Sequence, residues 1–167
     1  DAAEAVAALA AAGLPVVKAQ PAAALHADSP ADPATREALA GFAEDRFLHQ
    51  VRERRGRRLI ARDDLPDALG EARPLPGRGP WRVHFHVPVH ADPAPPLRST
   101  RDELVAALAA LVGGPIPVTD HLEVETYTWT VLPPGQRPVD EAGLVAGLAA
   151  ELDWVRDRLV GLGLEAA

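Results

Sequence analysis

Two short segments of this sequence place histidines and carboxylates at a spacing that could support chemistry. Glu123 and Glu125 alternate with apolar residues in one segment, and His84 and His86 alternate with apolar residues in the other. A period of two predicts a β-strand with one polar and one apolar face. Carboxylates that look into a partly dry interior need a metal ion, a cation or a proton. We therefore expect both polar faces to line one site.

A divalent metal ion, Mn²⁺, Mg²⁺ or Zn²⁺, is one hypothesis for this site, because imidazole nitrogens and carboxylate oxygens are its usual ligands. The expected ligands are His86, His84 and Glu125. Glu123 would lie ~6.6 Å deeper along its strand, where its carboxylate could orient His84. The structural alternative is a hydrogen-bonded pair of interior histidines, with Glu123 neutralised by a basic neighbour.

A third predicted strand, residues 16–20, puts Lys18 and Gln20 on its polar face. Lys18, the only lysine of the chain, could be catalytic by stabilising an enediolate or a phosphate. The cost of burying an unpaired charge favours the alternative, an ion pair of Glu123 with Lys18 or with Arg82. Gln20 is a candidate substrate-binding residue on the same face.

Composition narrows the classes of protein that remain. The chain has 167 residues and a net charge of −7, which disfavours binding to nucleic acid or to an anionic membrane surface. It has no cysteine, so a disulfide framework, a thiolate metal site and a thiol nucleophile are excluded. No apolar run is long enough for a transmembrane segment. The sequence starts at Asp1 inside a predicted helix, so we expect preceding residues to be missing, and we expect a cytoplasmic location.

The rest of the chain predicts helices and strands in alternation around these segments. Helices are predicted at 1–12, 34–42, 64–72 and 99–112 and from about 140 onward, strands at 16–20, 81–88 and 121–129, a hairpin at 48–54 with 57–61, and a loop at 21–33. Capping boxes are predicted at Asp1 with Glu4 and at Thr100 with Glu103. The order strand, helix, strand over 81–129 is that of a parallel βαβ unit.

Strands with an inward polar face and helices on the other side are typical of the (β/α)₈ TIM barrel, whose active site lies at the strand C-termini. Three strands cannot close a barrel, and a whole barrel takes ~250 residues. We therefore predict an α/β fold in which residues 1–167 are the C-terminal part of a single TIM barrel. That part would be about its last three β/α units with a hairpin insertion at about 47–61.

Four strings of the sequence resemble a known family: VVKAQ from Val16, HFHVP from His84, LRST from Leu97 and HLEVETYTW from His121. They are similar to the EboE family of metabolite-traffic proteins, in the xylose-isomerase-like TIM-barrel superfamily of sugar-phosphate isomerases and epimerases. The resemblance implies a divalent metal held by Glu125 as the final glutamate and by His86, with His84 beside it. On another alignment Gln20 takes the place of the histidine, which favours a site without catalysis.

Other candidate substrate-binding residues lie near the ends of the predicted strands. Arg98, Ser99 and Thr100 precede a helix N-terminus, where backbone N–H groups attract phosphate; the alternative is a helix cap and a solvated arginine. Tyr127 and Trp129 could wall the mouth of the pocket or pack under the last helix.

Two functions remain open from the sequence. One is a metal-assisted isomerase or epimerase that moves a proton next to a carbonyl, with Glu125 or an upstream acid as the base. The other is a barrel that binds a small metabolite, sugar-like or phosphorylated, and passes it to membrane-transport partners without turnover, as the resemblance implies.

Overall fold

The computed structural model describes residues 1–165 and shows one five-stranded sheet with helices around it. The helices are α1 (Ala2–Ala11), α2 (Pro33–Ala40), α3 (Leu65–Leu69), α4 (Arg101–Val112) and α5 (Glu141–Gly161). The strands are β1 (Ala23–Ala27), β2 (Val51–Arg55), β3 (Arg58–Arg62), β4 (Trp81–Val87) and β5 (Arg98–Ser99). Their order in the sheet is β3-β2-β4-β1-β5. Among the described residues, none of the helices has the length and apolarity needed to cross a bilayer.

Every strand pair of the sheet is antiparallel, and β4 lies at its centre between β2 and β1. The register places Val83 of β4 opposite Val51 of β2 and Leu25 of β1. All three side chains are fully buried. They belong to the core, into which α2 sends Leu39 and α3 sends Leu65. The alternation predicted for residues 81–88 is thus confirmed, with one face of β4 in the core.

The predicted TIM barrel is wrong. Its diagnostic feature is a set of parallel strands, whereas β4 runs antiparallel to both of its neighbours. No strand of the sheet in residues 1–165 pairs in parallel. The βαβ unit predicted over residues 81–129 fails because the segment after α4 does not enter the sheet. Periodicity of side chains is the same in parallel and antiparallel strands, so it carries no information on direction.

Two predicted strands are mostly irregular, and two strands, β1 and β5, were missed. Residues 16–20 and 121–129 meet in a single parallel bridge between Ala19 and Leu122, and residues 127–131 then turn. The segment 21–33, predicted as a loop, contains β1. Alanine is depleted in strands, so the alanine-rich β1 gave no strand signal. Its small side chains nevertheless pack beside β4, where Ala23 and Ala27 are buried.

The two predicted capping boxes have different outcomes. Asp1 accepts a hydrogen bond from the backbone N–H of Glu4, and the Glu4 carboxylate binds the N-terminal amine, so the first box is confirmed. The second box is wrong, because Thr100 makes no side-chain cap. Its hydroxyl instead accepts from the N–H of Ala24 at 2.9 Å, and Glu103 pairs with Arg82. The hairpin of β2 and β3 is confirmed.

Glu151 joins α5 to two other parts of the chain. Its carboxylate has no exposed surface. It accepts hydrogen bonds from the backbone N–H of Val89 at 3.0 Å, from the Thr126 hydroxyl at 2.6 Å and from the Trp129 indole at 2.9 Å. The apolar periodicity of the helix predicts one stripe made of Leu144, Leu148, Leu152, Val155 and Leu159. The structure agrees in part: Val155 is buried and Leu144 and Leu159 pack against the core, whereas Leu148 and Leu152 are exposed.

Gly147 brings α5 close to the indole ring of Trp129. A Cβ atom at this position would stand 2.5 Å from the ring. The ring cannot swing aside freely, because it is 9% exposed and its N–H is bound by Glu151. Gly161, at the other end of the helix, has no atom within 4 Å of such a Cβ.

We expect Glu151→Gln to lower the free energy of unfolding by about 2 kcal/mol, because an amide N–H₂ would face a donor inside the protein. Urea denaturation followed by circular dichroism measures the change. Asp157→Asn, at an exposed carboxylate of the same helix, is the control and should change stability by less than about 0.5 kcal/mol. Equal effects of the two substitutions would show that the Glu151 contacts are unimportant for stability.

We expect Gly147→Ala to destabilise the protein by about 1–3 kcal/mol, because the new methyl group overlaps the Trp129 ring. The same change at Gly161 should stabilise it by about 0.5 kcal/mol, since alanine is the better helix former. Thermal unfolding of both variants gives the comparison. Stabilisation by both substitutions would mean that the close packing of Trp129 on α5 is not maintained in solution.

Candidate functional site

An open pocket of about 500 Å³ contains most of the polar residues that the sequence singled out. Its floor is the start of β1, and its walls come from β4, from the segment before β1 and from the segment after α4. We call it the histidine pocket. It is lined by Gln20, Ala22, Ala23, Ala24, His84, His86, Thr100, Glu125 and Tyr127.

His84 and His86 project from β4 to the same side, with their Nε2 atoms 3.0 Å apart. The Nδ1 atom of His86 lies 3.2 Å from the carbonyl oxygen of Glu125, which can only accept a hydrogen bond. Nδ1 of His86 therefore carries the proton, and in the neutral ring its Nε2 accepts. It follows that His84 donates from Nε2. The lone pair on Nε2 of His86 is thus directed at His84.

The surroundings keep His86 neutral. Burial lowers the pKa of His86 below its ordinary value of 6.5, and the neighbouring His84 lowers it further. Its side chain is largely buried, whereas His84 is exposed. The ring of Tyr127 stands 4.8 Å from that of His86, centroid to centroid. Burial also raises the pKa of Tyr127, so that its phenol stays protonated and available as a donor.

Glu125 reaches the histidine pocket without being part of the sheet. Its backbone N–H donates to the carbonyl of Pro21 at 3.4 Å, and its own carbonyl accepts from His86. Its carboxylate accepts a hydrogen bond from the Gln20 side-chain amide at 3.1 Å. The expected proximity of His86 and Glu125 is therefore present, although the two residues are not on neighbouring strands of one sheet.

Lys18 and Glu123 form the ion pair that the sequence offered as the structural alternative. The ammonium nitrogen of Lys18 lies 2.6 Å from a carboxylate oxygen of Glu123. The hydrogen bond from Lys18 lowers the pKa of Glu123. Both side chains are exposed, with 40% and 53% of their surface accessible. The pair lies outside the lining of the histidine pocket.

His84 and His86 were predicted as ligands of a divalent metal. The 3.0 Å between their Nε2 atoms is the length of the hydrogen bond that joins the two rings. Two nitrogens bound to a tetrahedral zinc ion at ~2.0–2.1 Å would be about 3.3 Å apart, so the pair must open to hold one. Among residues 1–165, however, no three His, Asp or Glu side chains converge closely enough to hold an ion together. Glu125 lines the same pocket but its carboxylate is engaged by Gln20.

The three residues proposed to bind phosphate are separated by the structure. Arg98 is paired with Asp28 at 3.3 Å, and the Ser99 hydroxyl donates to Asp92 at 3.2 Å. Thr100 alone lines the histidine pocket. The candidate aromatic residues also separate, because Tyr127 lines this pocket and Trp129 packs under α5.

Sequence reasoning missed two residues beneath the histidine pocket, His49 and Glu44. His49 is fully buried. Its Nε2 lies 2.6 Å from the Glu44 carboxylate, and its Nδ1 lies 3.3 Å from the carbonyl oxygen of His84. Both neighbours are hydrogen-bond acceptors, and the contact with the His84 carbonyl ties His49 to the β4 backbone at the histidine pair. A histidine before an alternating strand was the only sequence signal for this contact.

We expect the protein to lose stability as the pH falls below 6.5, the ordinary value for a histidine. Because its pKa is lowered, His86 stays neutral in the folded state, while in the unfolded chain it takes up a proton below pH 6.5. Proton uptake therefore favours the unfolded chain, so the stabilisation that His86 contributes is complete above pH 6.5 and is lost progressively below it. Urea denaturation at pH 7.5 and 5.5 should show a smaller loss in His86→Gln than in the wild type. His121→Gln, at an exposed histidine outside the pocket, should behave as the wild type. A loss unchanged in His86→Gln would contradict the assignment.

Comparisons with known proteins do not indicate a function for this chain, so its assignment rests on the geometry of the histidine pocket. A search of protein-family models, of curated proteins and of solved structures gave no match to the chain.

Proposed function

We propose that the histidine pocket binds a small polar metabolite and belongs to a metal-dependent isomerase or epimerase of the sugar-phosphate type. The observation that supports this most directly is the composition of the pocket wall. Two imidazoles, a carboxylate, a carboxamide and a phenol surround one opening of about 500 Å³. Groups that donate, accept and move protons are what a polyhydroxylated substrate with a carbonyl group requires.

The proton-transfer step would use Glu125 as the base. Its carboxylate is held by Gln20, which positions one oxygen and leaves the other free for a substrate C–H. The protonated phenol of Tyr127 is suited to donate a hydrogen bond to an oxygen of the metabolite. The neutral Nε2 of His86 accepts a hydrogen bond from a hydroxyl group once His84 turns away.

A divalent metal ion, Mn²⁺, Mg²⁺ or Zn²⁺, would be held by His84, by His86 and by the oxygen of Glu125 that Gln20 binds, once Gln20 releases it. The other oxygen of Glu125 would remain the base. When bound, such an ion polarises the carbonyl and hydroxyl oxygens of a substrate. For that arrangement His84 must move its proton from Nε2 to Nδ1, which its exposed ring permits.

The resemblance of the segments around His84 and His121 to the EboE family supports the same proposal. It adds a sugar-like or phosphorylated metabolite, a cytoplasmic location and membrane-transport partners to what we propose. The antiparallel sheet limits this support to the two segments, because the fold expected from the family is not present.

A second function, binding without turnover, is favoured by one observation. The hydrogen bonds of the pocket are already satisfied without a metal, since His84 binds His86 and Gln20 binds Glu125. A pocket of this kind can hold a metabolite for transfer to a partner protein. The two functions use the same residues and differ only in whether a C–H bond is broken.

We expect Mn²⁺-supplemented protein to exchange the C–H hydrogen next to the carbonyl of a sugar phosphate for deuterium in D₂O. NMR spectroscopy of a panel of aldose and ketose phosphates measures this without knowledge of the product. Glu125→Gln should reduce the exchange by at least about a hundredfold, because the base is lost. Glu37→Gln, at an exposed glutamate of α2, is the matched control.

Equilibrium dialysis adds a measurement that does not depend on activity. Mn²⁺ binding should be lost in His86→Gln and retained in His121→Gln. Binding of a sugar phosphate with no deuterium exchange would support the second function and contradict the first. Absence of both binding and exchange across the panel would contradict the two together.

A further inference from the structure

Two arginines face each other directly across neighbouring strands. Arg52 of β2 and Arg82 of β4 are register partners. Val51 and Val83, next to them along the strands, are buried in the core. Because side chains alternate along a strand, the two guanidinium groups project from the opposite, polar face of the sheet. This is the face that also carries His84, two residues after Arg82.

These arginines line a second opening, which we call the arginine pocket. Its volume is about 320 Å³, and besides Arg52 and Arg82 it is lined by Ala24, Gln50, Val83, His84, Thr100 and Glu103. Three of these residues, Ala24, His84 and Thr100, also line the histidine pocket. The two pockets are therefore adjacent on one face, with His84 between them.

The arginine pocket has an excess of positive charge. Arg82 is paired with the carboxylate of Glu103. Arg52 has only neutral partners: Nη1 donates to the backbone carbonyls of Val51 and Arg62, each at 3.2 Å, and Nη2 reaches the Gln50 side chain at 3.5 Å. Within residues 1–165, no carboxylate forms an ion pair with Arg52. Like charges directly opposite each other in a sheet are unfavourable. An anion in the pocket that both side chains line would offset the excess charge.

We propose that Arg52 and Arg82 form an oxyanion-binding subsite, which takes the phosphate or carboxylate group of a metabolite. A guanidinium group offers paired N–H donors whose geometry matches both of these anions. Glu103 is the group that an incoming anion displaces from Arg82. The anion binds without the histidine pocket, but the assignment of its carrier as the metabolite of that pocket rests on the function proposed above.

The same argument predicts the orientation in which the metabolite lies across the two pockets. An anionic group at the arginine pocket would place the uncharged part of the metabolite past His84, toward His86 and Glu125. The subsite thus selects metabolites with a terminal anion over neutral ones of the same length. It replaces Arg98 and Ser99, which are occupied by Asp28 and Asp92, as the phosphate-recognition residues of this chain.

Binding of inorganic phosphate to the full chain tests the subsite, by NMR titration or calorimetry at constant ionic strength. We expect saturable binding that weakens about tenfold in Arg52→Gln, because a charge-assisted hydrogen-bond donor is lost. Arg58→Gln removes an exposed arginine of β3 that lines neither pocket and should change the affinity by less than about twofold. Glu103→Gln should tighten binding about threefold, because the competing carboxylate is gone.

A parallel titration with acetate shows whether the subsite prefers a carboxylate or a phosphate. Saturable binding of either anion that weakens in Arg52→Gln supports the subsite. No saturable binding of phosphate or acetate, or equal weakening in Arg52→Gln and Arg58→Gln, would overturn it. His86→Gln should leave phosphate affinity unchanged within about twofold. A failed deuterium-exchange experiment with intact phosphate binding would therefore count against the isomerase and not against the subsite.

Discussion

The buried carboxylate of Glu151 is the contact on which the site depends. It binds the loop after β4 through Val89 and the segment after α4 through Thr126 and Trp129. Within residues 1–165, a single isolated bridge, to residues 16–20 outside the sheet, joins that segment to another extended segment, so sheet hydrogen bonds do not hold it. A buried anion with three donors fixes position more strictly than apolar contact, because each donor left unpaired would cost free energy. Glu125 and Tyr127 reach the histidine pocket because this segment is held in place.

A second buried carboxylate holds an irregular segment in the same way, at the other end of β4. Glu53 of β2 accepts hydrogen bonds from the backbone N–H groups of Gly77 and Arg78 and from the Trp81 indole. Burial raises the pKa of Glu53, but these donors together with Arg55 outweigh burial and hold the pKa below its usual range. The linker before β4 is therefore fixed to β2. Both carboxylates anchor irregular segments beside the central strand.

The site itself combines one rigid element with two irregular ones. His84 and His86 lie on β4, whose backbone is held on one side by His49 and paired with β1 and β2. Gln20 and Glu125 come from segments that pair through a few backbone hydrogen bonds only. A site built in this way holds the backbone of its two histidines firmly and allows its carboxylate to change partners. Release of Glu125 from Gln20, which metal binding would require, is consistent with that difference.

The sequence by itself determined the local elements and the chemistry of their faces. Alternation identified β4 and the hairpin, the Asp1 and Glu4 spacing identified the first capping box, and Lys18 was correctly offered as a partner of Glu123. Strand direction was predicted wrongly as parallel, because a period of two is common to parallel and antiparallel pairing and carries no information on direction. Nor could the sequence reveal β1, whose alanines lack strand propensity, or the role of Glu151, which an apolar helix stripe concealed. Only the tertiary structure decided these points, since each depends on which distant segment supplies the hydrogen-bond partner.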